Sequence, residues 1–386
     1  MIATSEARGA LRNVDILSRI ALIPSKGRIA CAKTLTRVPK VSVVIPCYNY
    51  GRYLRQCVDS VLTGQPGIEL EVIIVDDKST DDSLRIAREI EAEDARVRVI
   101  AHEVNKGHIT TYNDGLDAVS GEFALLISAD DLATPGALTR AAELMVANPS
   151  VGLVYGTAIH FHDARPPART DGKAWIIWHG IDWLRVRCRS GYNVVASPEV
   201  IMRTSLLKEF GGYRQDLPHA GDFEMWLRAS AVSGVGFLVG VDQAYYRHHT
   251  ANMNSTMFSS GTPKGQLIDV KQRWHSFEAI FAGVGCQVDG AVNLLRTARK
   301  TLAKQALEQA NYAFARGFKD FPVDEFEAFA KSIQPSVEST RTGRALARRR
   351  RLGMVPLPLH PLWAASAIAW RLKEHVRRWR RAKIGI

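Results

Sequence analysis

Short apolar runs rich in β-branched residues recur along the first half of the chain. Polar stretches with helical periodicity lie between them, and the connections are short. Strands that alternate with helices in this way predict an α/β fold with a mostly parallel central sheet flanked by helices. The runs with the length and composition of buried strands are VSVVIP (41–46), LEVIIVDD (70–77), VRVIA (97–101), FALLIS (123–128) and VGLVYG (151–156).

Two of these runs lead into adjacent carboxylates. Asp76 and Asp77 close the second run, and Asp130 and Asp131 follow the fourth. Ligands of open α/β sheets bind beyond the carboxyl ends of the strands, so both pairs are expected at one edge of the sheet. Like charges this close raise each other's pKa unless a cation or hydrogen-bond donors hold them. The pairs are therefore either solvated turns or part of a site for something positive.

The second half of the chain is less regular. Residues 157–196 predict an excursion of loop and helix, GDFEMWLRAS (221–230) an amphipathic helix, and residues 235–249 a further strand. A helical pattern then runs from about residue 265 to residue 333. The predicted domains are a basic, poorly ordered leader (1–39), a sheet domain (40–256), a helical extension (257–340) and a basic amphipathic tail (341–386).

The formal net charge of +12 belongs to the tail. Residues 341–386 hold 13 Lys and Arg against one acid, Glu374, whereas the rest of the chain carries 38 residues of each sign. Such a segment predicts peripheral contact with an anionic membrane surface, with a solvated or packed tail as the alternative. Its apolar residues are Leu362, Trp363, Ile368, Trp370 and Leu372.

Cysteine usage and hydropathy bear on location. The five cysteines are scattered, without a C-x-x-C motif, which predicts a reducing compartment rather than disulfides or a zinc site. The first 40 residues lack a signal-peptide pattern, and no apolar run reaches the ~20 residues that span a bilayer. We therefore expect a cytoplasmic protein, with the tail in contact with the inner face of the membrane.

Several motifs between Lys40 and Asn254 occur in a distinctive order. They are VSVVIPCYNYGRYL, VDDKSTDDS, N-K-G with N-D-G, SADD, GGY, GDFEMWLR and YRHH. The ordered set resembles that of family 2 glycosyltransferases, which have the Rossmann-like GT-A fold. The resemblance implies inverting transfer of a sugar from a UDP-, GDP- or dTDP-sugar to an acceptor hydroxyl, with Mg²⁺ or Mn²⁺ at the diphosphate. It further implies a glycan or lipid-linked acceptor, in the assembly of a cell-surface polysaccharide or glycolipid.

The resemblance places the donor at the strand ends. The backbone around Pro46 and the Asp77 carboxylate would hold the base, with Asp76 in support. Asp130 would lie near the ribose and Asp131 would ligate the metal, since hard oxygen ligands suit Mg²⁺ or Mn²⁺. The other residues expected at the donor are Tyr48, Asn49, Lys106 and Asn113.

The catalytic base and a further metal ligand come from the later motifs. Asp222 matches the family's base, which takes the proton of the acceptor hydroxyl; a helix cap is the alternative. His248 is the expected second metal ligand, and because successive strand residues point to opposite faces, at most one of His248 and His249 reaches the site. Ser128 stands where the family often has an acid, which predicts weaker metal binding or reliance on one carboxylate and the donor.

Other functional classes stay open at this point. The fold also suits a nucleotidyltransferase, and a family member without activity could serve as a binding partner. A nucleic-acid-binding protein would use the arginines of the tail, such as Arg348–Arg351, on phosphates. The neutral body and the lack of a recognised reading module argue against that class, so no nucleic-acid partner is expected.

Overall fold

The computed structural model describes residues 27–258, 261–353 and 361–386. Residues 1–26, most of the predicted leader, lie outside the described part of the chain. The chain divides into two compact units. The first contains the residues up to Trp183 together with Val194–His249 and Ala382–Gly385, and the second contains Leu184–Asn193, Thr250–Arg381 and Ile386.

A 10-stranded mixed sheet organises the first unit, with the strand order β1-β8-β10-β7-β9-β5-β2-β3-β4 and β6 paired to β10. Strands β6, β8 and β9 run antiparallel to the others, so most strands share one direction and the predicted fold class is confirmed. The strands are β1 Arg28–Cys31, β2 Lys40–Cys47, β3 Glu69–Asp76, β4 Val97–Ala101, β5 Phe123–Leu126, β6 Leu132–Ala133, β7 Val151–Phe161, β8 Ala174–Trp178, β9 Val200–Arg203 and β10 Gly234–Arg247.

Helices cover the sheet and connect its strands. Helix α1 packs its buried residues Leu54, Val58 and Val61 into the same core as β2 and β3, since apolar residues at this spacing share one helix face. The helices of the first part of the chain are α1 Gly51–Leu62, α2 Ser83–Glu93, α3 His108–Asp117, α4 Ala137–Ala147, α5 Gly180–Ser190, α6 Thr204–Phe210 and α7 Gly221–Val232.

The segment predicted as a loop-and-helix excursion contains a strand as well as a helix. Strand β8 pairs with β10 and with β1, and β1 comes from residues assigned to the leader. The tryptophans of this segment are buried, with Trp178 exposed by 1% and Trp183 by 0%. They therefore pack in the core of the first unit.

The second unit is helical, as predicted for the C-terminal extension. Its interior is built from apolar faces that include Phe277, Leu302, Ala306 and Phe326, all buried. No helix within the described residues is both long and apolar enough to cross a membrane. The helices are α8 Met253–Thr256, α9 Pro263–Ala282, α10 Ala291–Arg316, α11 Val323–Ile333, α12 Arg341–Leu352 and α13 Pro361–Ile384.

Candidate active site

Three parallel strands end together at one edge of the sheet. Cys47, the last residue of β2, pairs with Asp76 of β3, and Asp76 pairs with Ala101 of β4. Pro46 is buried in β2 two positions past Val44, where the ladder to β5 stops. A proline is tolerated there because its missing N–H would have no ladder partner on that side.

Both carboxylate oxygens of Asp77 are held by the protein itself. Oδ1 lies 2.8 Å from Nδ1 of His102 and accepts from the Lys106 N–H at 2.7 Å, and Oδ2 accepts from the Gly107 N–H at 2.9 Å. Burial alone would raise the pKa of Asp77, but these hydrogen bonds outweigh it and lower the pKa below its usual value. In this arrangement Asp77 organises the loop after β4.

Asp76 has one carboxylate oxygen without a hydrogen-bond partner in the described part of the chain. Its side chain is buried, with 1% of the residue exposed. Oδ2 accepts from the Ser79 N–H at 3.1 Å, whereas Oδ1 makes no hydrogen bond within the described part of the chain. Buried polar atoms are normally paired, so Asp76 Oδ1 is the acceptor at this edge that a ligand could use.

The loops beside Asp76 are fastened by Asn49. This residue adopts a left-handed backbone with φ 59°, and its side-chain oxygen accepts from the Thr80 N–H at 2.8 Å. Its own N–H donates to Ser79 Oγ at 3.0 Å. Asn49, a predicted contact of the nucleotide-sugar donor, thus holds the loop that contains Ser79 and Thr80. Tyr48 next to it is 46% exposed.

The second acidic pair lies directly before β6, at the end of the segment that follows β5. Asp130 Oδ2 is 2.9 Å from Nε2 of His249, and Asp131 Oδ1 accepts from the Arg247 N–H at 2.9 Å. Asp130 and Asp131 are 4% and 3% exposed. Burial and then the neighbouring Asp130 raise the pKa of Asp131 well above its usual value, against the opposing effect of Arg247.

Arg247 connects this pair to the rest of the edge. Its Nε donates to the Asp130 carbonyl at 2.8 Å and its guanidinium to Gln56 Oε1 at 3.0 Å. The guanidinium also lies 4.6 Å from the ring centre of Tyr53. The sequence reasoning gave Arg247 no role, although its place between Tyr246 and the two histidines could have marked it.

The two histidines after β10 separate as alternation along a strand requires. His249 turns to Asp130, while His248 stacks on His160, with Nδ1 of His160 and Nε2 of His248 2.9 Å apart. Histidine 249 is therefore the one placed beside the acidic pair, and His248, the predicted metal ligand, lies in a separate cluster with His160 and His162.

A divalent cation would fit the acidic pair as a partial site. The side chains that could ligate the cation are two buried carboxylates and an imidazole. The raised pKa of Asp131 reflects the cost of burying its negative charge beside Asp130. No cluster of three or more His, Cys, Asp or Glu among the described residues could hold an ion by itself. Mg²⁺ is commonly bound by one or two carboxylates together with substrate phosphates, so the set suits an ion that a diphosphate helps to hold.

Asp222 is the second residue of α7. Ala220 occupies the N-cap position, so the capping alternative does not describe Asp222. Its Oδ1 accepts from the Phe223 N–H at 2.6 Å, and the residue is half-buried. A carboxylate in the first turn of a helix is stabilised by the helix dipole, so an acidic residue suits this position.

Tyr112 links Asp222 to the acidic pair. Burial raises the pKa of the Tyr112 phenol first, and the charges of Asp130 and Asp222 raise it further. Both carboxylates therefore lie within electrostatic range of the same phenol. The sequence reasoning missed Tyr112, although it stands beside Asn113 in the N-D-G motif that was singled out.

The GGY loop is held against α3 by Asn113. The Tyr213 N–H donates to Asn113 Oδ1 at 2.6 Å, and Asn113 Nδ2 donates to the Tyr213 carbonyl at 2.8 Å. A Cβ on Gly212 would lie 2.1 Å from Asn113 Oδ1, so only glycine fits this approach. Asn113, a predicted donor contact, therefore shapes the loop beside Asp222.

A buried ion pair supports the same loop from α7. Glu224, exposed by 2%, accepts from Arg228 at 3.0 Å. Arg228 also donates to the carbonyls of Phe210 at 2.5 Å and Gly212 at 2.7 Å. Burial raises the pKa of Glu224 despite this partner. The contacts of Arg228 to the loop carbonyls indicate that the pair positions the GGY loop.

Lys106 reaches α3 with its side chain. Its ammonium lies 3.0 Å from Asp114 Oδ2, and His102 Nε2 lies 2.9 Å from the same oxygen. His102 thus stands between Asp77 and Asp114, 3% exposed at its side chain. For Lys106 to contact the nucleotide-sugar donor, as the sequence predicts, its surface ion pair with Asp114 would have to break.

Cysteine chemistry is excluded at this edge. Burial raises the pKa of the Cys47 thiol to about 12, so it is protonated at neutral pH. Thiolate, not thiol, is the nucleophile. The chemistry available to the site is therefore that of carboxylates, tyrosines and histidine.

The lowered pKa of Asp77 predicts an acid-side pH dependence of stability. A carboxylate with a lowered folded-state pKa contributes stability above its unfolded pKa of about 3.9. That contribution is lost as the pH falls through the lower, folded-state pKa. We expect Asp77→Asn to be less stable than wild type at pH 6, with the difference shrinking below about pH 4. Urea unfolding of both proteins across this range measures it; a difference that is constant with pH would contradict the assignment.

Asn113→Ala is expected to lower the free energy of unfolding by about 1–3 kcal/mol, because two backbone groups of Tyr213 lose their partner. The measurement is urea unfolding followed by fluorescence. Asn293→Ala, on the exposed face of α10, is the matched control and should change stability by about 0.5 kcal/mol or less. Equal changes in the free energy of unfolding at the two positions would show that the contact to the GGY loop does not stabilise the fold.

Comparison with known proteins gives the family context. Residues 42–206 match the family model described as Glycosyl transferase family 2. An uncharacterized glycosyltransferase of Haemophilus influenzae is 25% identical over 300 residues, which cover 76% of this chain and 91% of that protein. Chondroitin synthase of Escherichia coli is 33% identical over 229 residues, 58% of this chain but 32% of the synthase.

Solved structures agree on the fold. Staphylococcus aureus TarS shares a TM-score of 0.52 with this chain at 18% sequence identity, over 79% of this chain and 55% of TarS. At this identity the likeness concerns architecture alone. The architecture is that of the GT-A fold.

Proposed function

Since this chain belongs to glycosyl transferase family 2, we propose that it transfers a sugar from a nucleoside diphosphate sugar to an acceptor hydroxyl with inversion at the anomeric carbon. The observation that carries the proposal is the shared neighbourhood of Asp222 and the buried pair Asp130–Asp131 around Tyr112. Asp222 would then act as the base, while the pair would bind the diphosphate and its cation.

The donor would lie across the carboxyl ends of β2, β3 and β5. An N–H of its base would donate to Asp76 Oδ1, because this buried oxygen has no partner within the described part of the chain. Asp77 then keeps the surrounding loop in place rather than contacting the base. Asp130, held by His249, would face the ribose.

Asp131, with His249 rather than His248 nearby, would hold Mg²⁺ or Mn²⁺ together with the donor diphosphate. The ion would supply positive charge at the leaving diphosphate. Arg247 fixes Asp131 and the backbone of Asp130, which keeps the carboxylates in place before the ion arrives. Ser128 leaves the protein with few ligands, so metal affinity would depend on the donor.

Proton transfer would fall to Asp222. In an inverting displacement the acceptor oxygen attacks the anomeric carbon opposite the diphosphate, and a base accepts the proton of that hydroxyl. The GGY loop, held by Asn113 and Arg228, would position the acceptor beside Asp222. A glycan or lipid-linked acceptor in cell-surface polysaccharide assembly, on the cytoplasmic side, completes the proposal; membership of the family favours sugar transfer over nucleotidyl transfer.

The test uses donors alone, because glycosyltransferases without an acceptor can transfer slowly to water. Purified protein with Mn²⁺ is incubated with UDP-, GDP- and dTDP-sugars, and the released nucleoside diphosphate is quantified. The proposal expects release from donors of one base, with the sugar product inverted when its anomeric configuration is read by NMR at early times. Release of a sugar 1-phosphate and a nucleoside monophosphate instead of a nucleoside diphosphate would indicate nucleotidyl transfer.

A further inference from the structure

An exposed apolar stripe runs along α13 in the second unit. Ile368, Leu372, Val376 and Trp379 are 66%, 62%, 42% and 37% exposed. Their spacing of four, four and three residues places them on one face of the helix. The stripe extends over about 16 Å of helix. Scattered exposed apolar residues are ordinary, but a contiguous row marks an interaction surface.

Basic side chains flank this stripe. Arg371 and Arg378 are exposed on one side of it. Other charges of the helix are used within the second unit, as Lys373 lies 3.0 Å from Glu308 and Arg377 pairs with Glu374 at 2.5 Å. The exposed face therefore combines apolar area with a positive rim. The tail residues Leu362, Trp363 and Trp370 have side chains outside the described part of the structure.

We propose that this face of α13 lies on an anionic membrane surface, with the stripe at the level of the lipid headgroups and the arginines on lipid phosphates. An interfacial helix has this combination of an apolar face and a basic flank. A second copy of the chain would bring two positive rims together, which like charges oppose. A nucleic acid would use the arginines but leave four apolar side chains in water.

The test is co-sedimentation with vesicles of phosphatidylcholine alone or with one-third phosphatidylglycerol. Wild type is expected to bind the anionic vesicles at least about tenfold more tightly than the neutral ones, and less tightly as salt rises. Leu372→Asp and Arg371→Glu with Arg378→Glu should each weaken anionic-vesicle binding by about tenfold or more. Thermal melting confirms that each variant is folded; a variant that melts early is replaced by Leu372→Ser, which keeps the helix and removes apolar area.

Matched controls lie elsewhere in the second unit. Val292→Asp removes an apolar side chain that is 72% exposed, and Lys319→Glu reverses an exposed charge; neither should change vesicle binding. Equal binding to both vesicle types, or loss of binding in the controls as large as in the α13 variants, would overturn the proposal. So would tight binding of duplex DNA or RNA that Leu372→Asp leaves unchanged, or a wild-type dimer that Leu372→Asp turns into a monomer. Vesicle binding needs no donor, so its failure is separate from a failure of the proposed transfer activity.

Discussion

Replacing Asp222 with asparagine is expected to lower kcat for sugar transfer by about 10²–10⁴-fold, the usual contribution of a positioned general base. Asparagine keeps the size of the side chain and can still accept from the Phe223 N–H, but it cannot take the proton of the acceptor hydroxyl. The donor does not need this group in order to bind, so its Kd should stay within about threefold of wild type. Steady-state kinetics and donor titration together measure the effect.

The matched control for this variant is Asp59→Asn on the exposed side of α1, which should leave kcat unchanged. A catalytic rate of Asp222→Asn close to that of wild type would remove Asp222 from the base role. A parallel loss of donor affinity would instead indicate that Asp222 helps to build the donor site. The two readouts therefore distinguish a base from a structural carboxylate.

Replacing Asp131 with asparagine is expected to abolish the metal-dependent part of nucleotide binding, a loss of at least about 100-fold in affinity, since even residues that only orient metal ligands cost 10–100-fold. Without metal, the same change should raise the melting temperature or leave it unaltered. The reason is that burial and Asp130 disfavour the negative charge of Asp131 in the folded protein, and asparagine removes that charge.

Titration of Mn²⁺ with nucleotide and a thermal melt without metal measure the two effects. A gain in stability together with a loss of binding identifies a carboxylate kept for function. Loss of both would mean that Asp131 mainly supports the fold through the Arg247 N–H. Unchanged binding would place the metal elsewhere, and Asp59→Asn again serves as the control.

The parallel core of the sheet was predictable because its strands are encoded locally. Residues buried on both faces of a parallel sheet form continuous β-branched runs, and the ends of β2, β3 and β4 agree with the predicted runs to within one residue. Strands β1, β6 and β8 were not predicted, since they are short and take their pairing from partners far along the chain. Their apolar residues have no periodicity long enough to separate strand from loop.

The site shows the same division. Sequence placed two carboxylate pairs at the strand ends, but it could not tell which member of a pair keeps a free oxygen. That depends on donors from distant loops, such as the Gly107 N–H that occupies Asp77. The choice between His248 and His249 likewise depends on the backbone directly after β10, where a shift of one residue reverses the direction of the side chain.

The central claim is that the edge formed by Asp76, Asp130 and Asp131 binds a nucleoside diphosphate. Calorimetric titration of UDP, GDP and dTDP into the wild-type protein, with and without Mn²⁺, tests it most directly. The account predicts that one nucleotide binds and that Mn²⁺ strengthens this binding. Absence of binding by all three nucleotides, in the presence as well as the absence of metal, would contradict it.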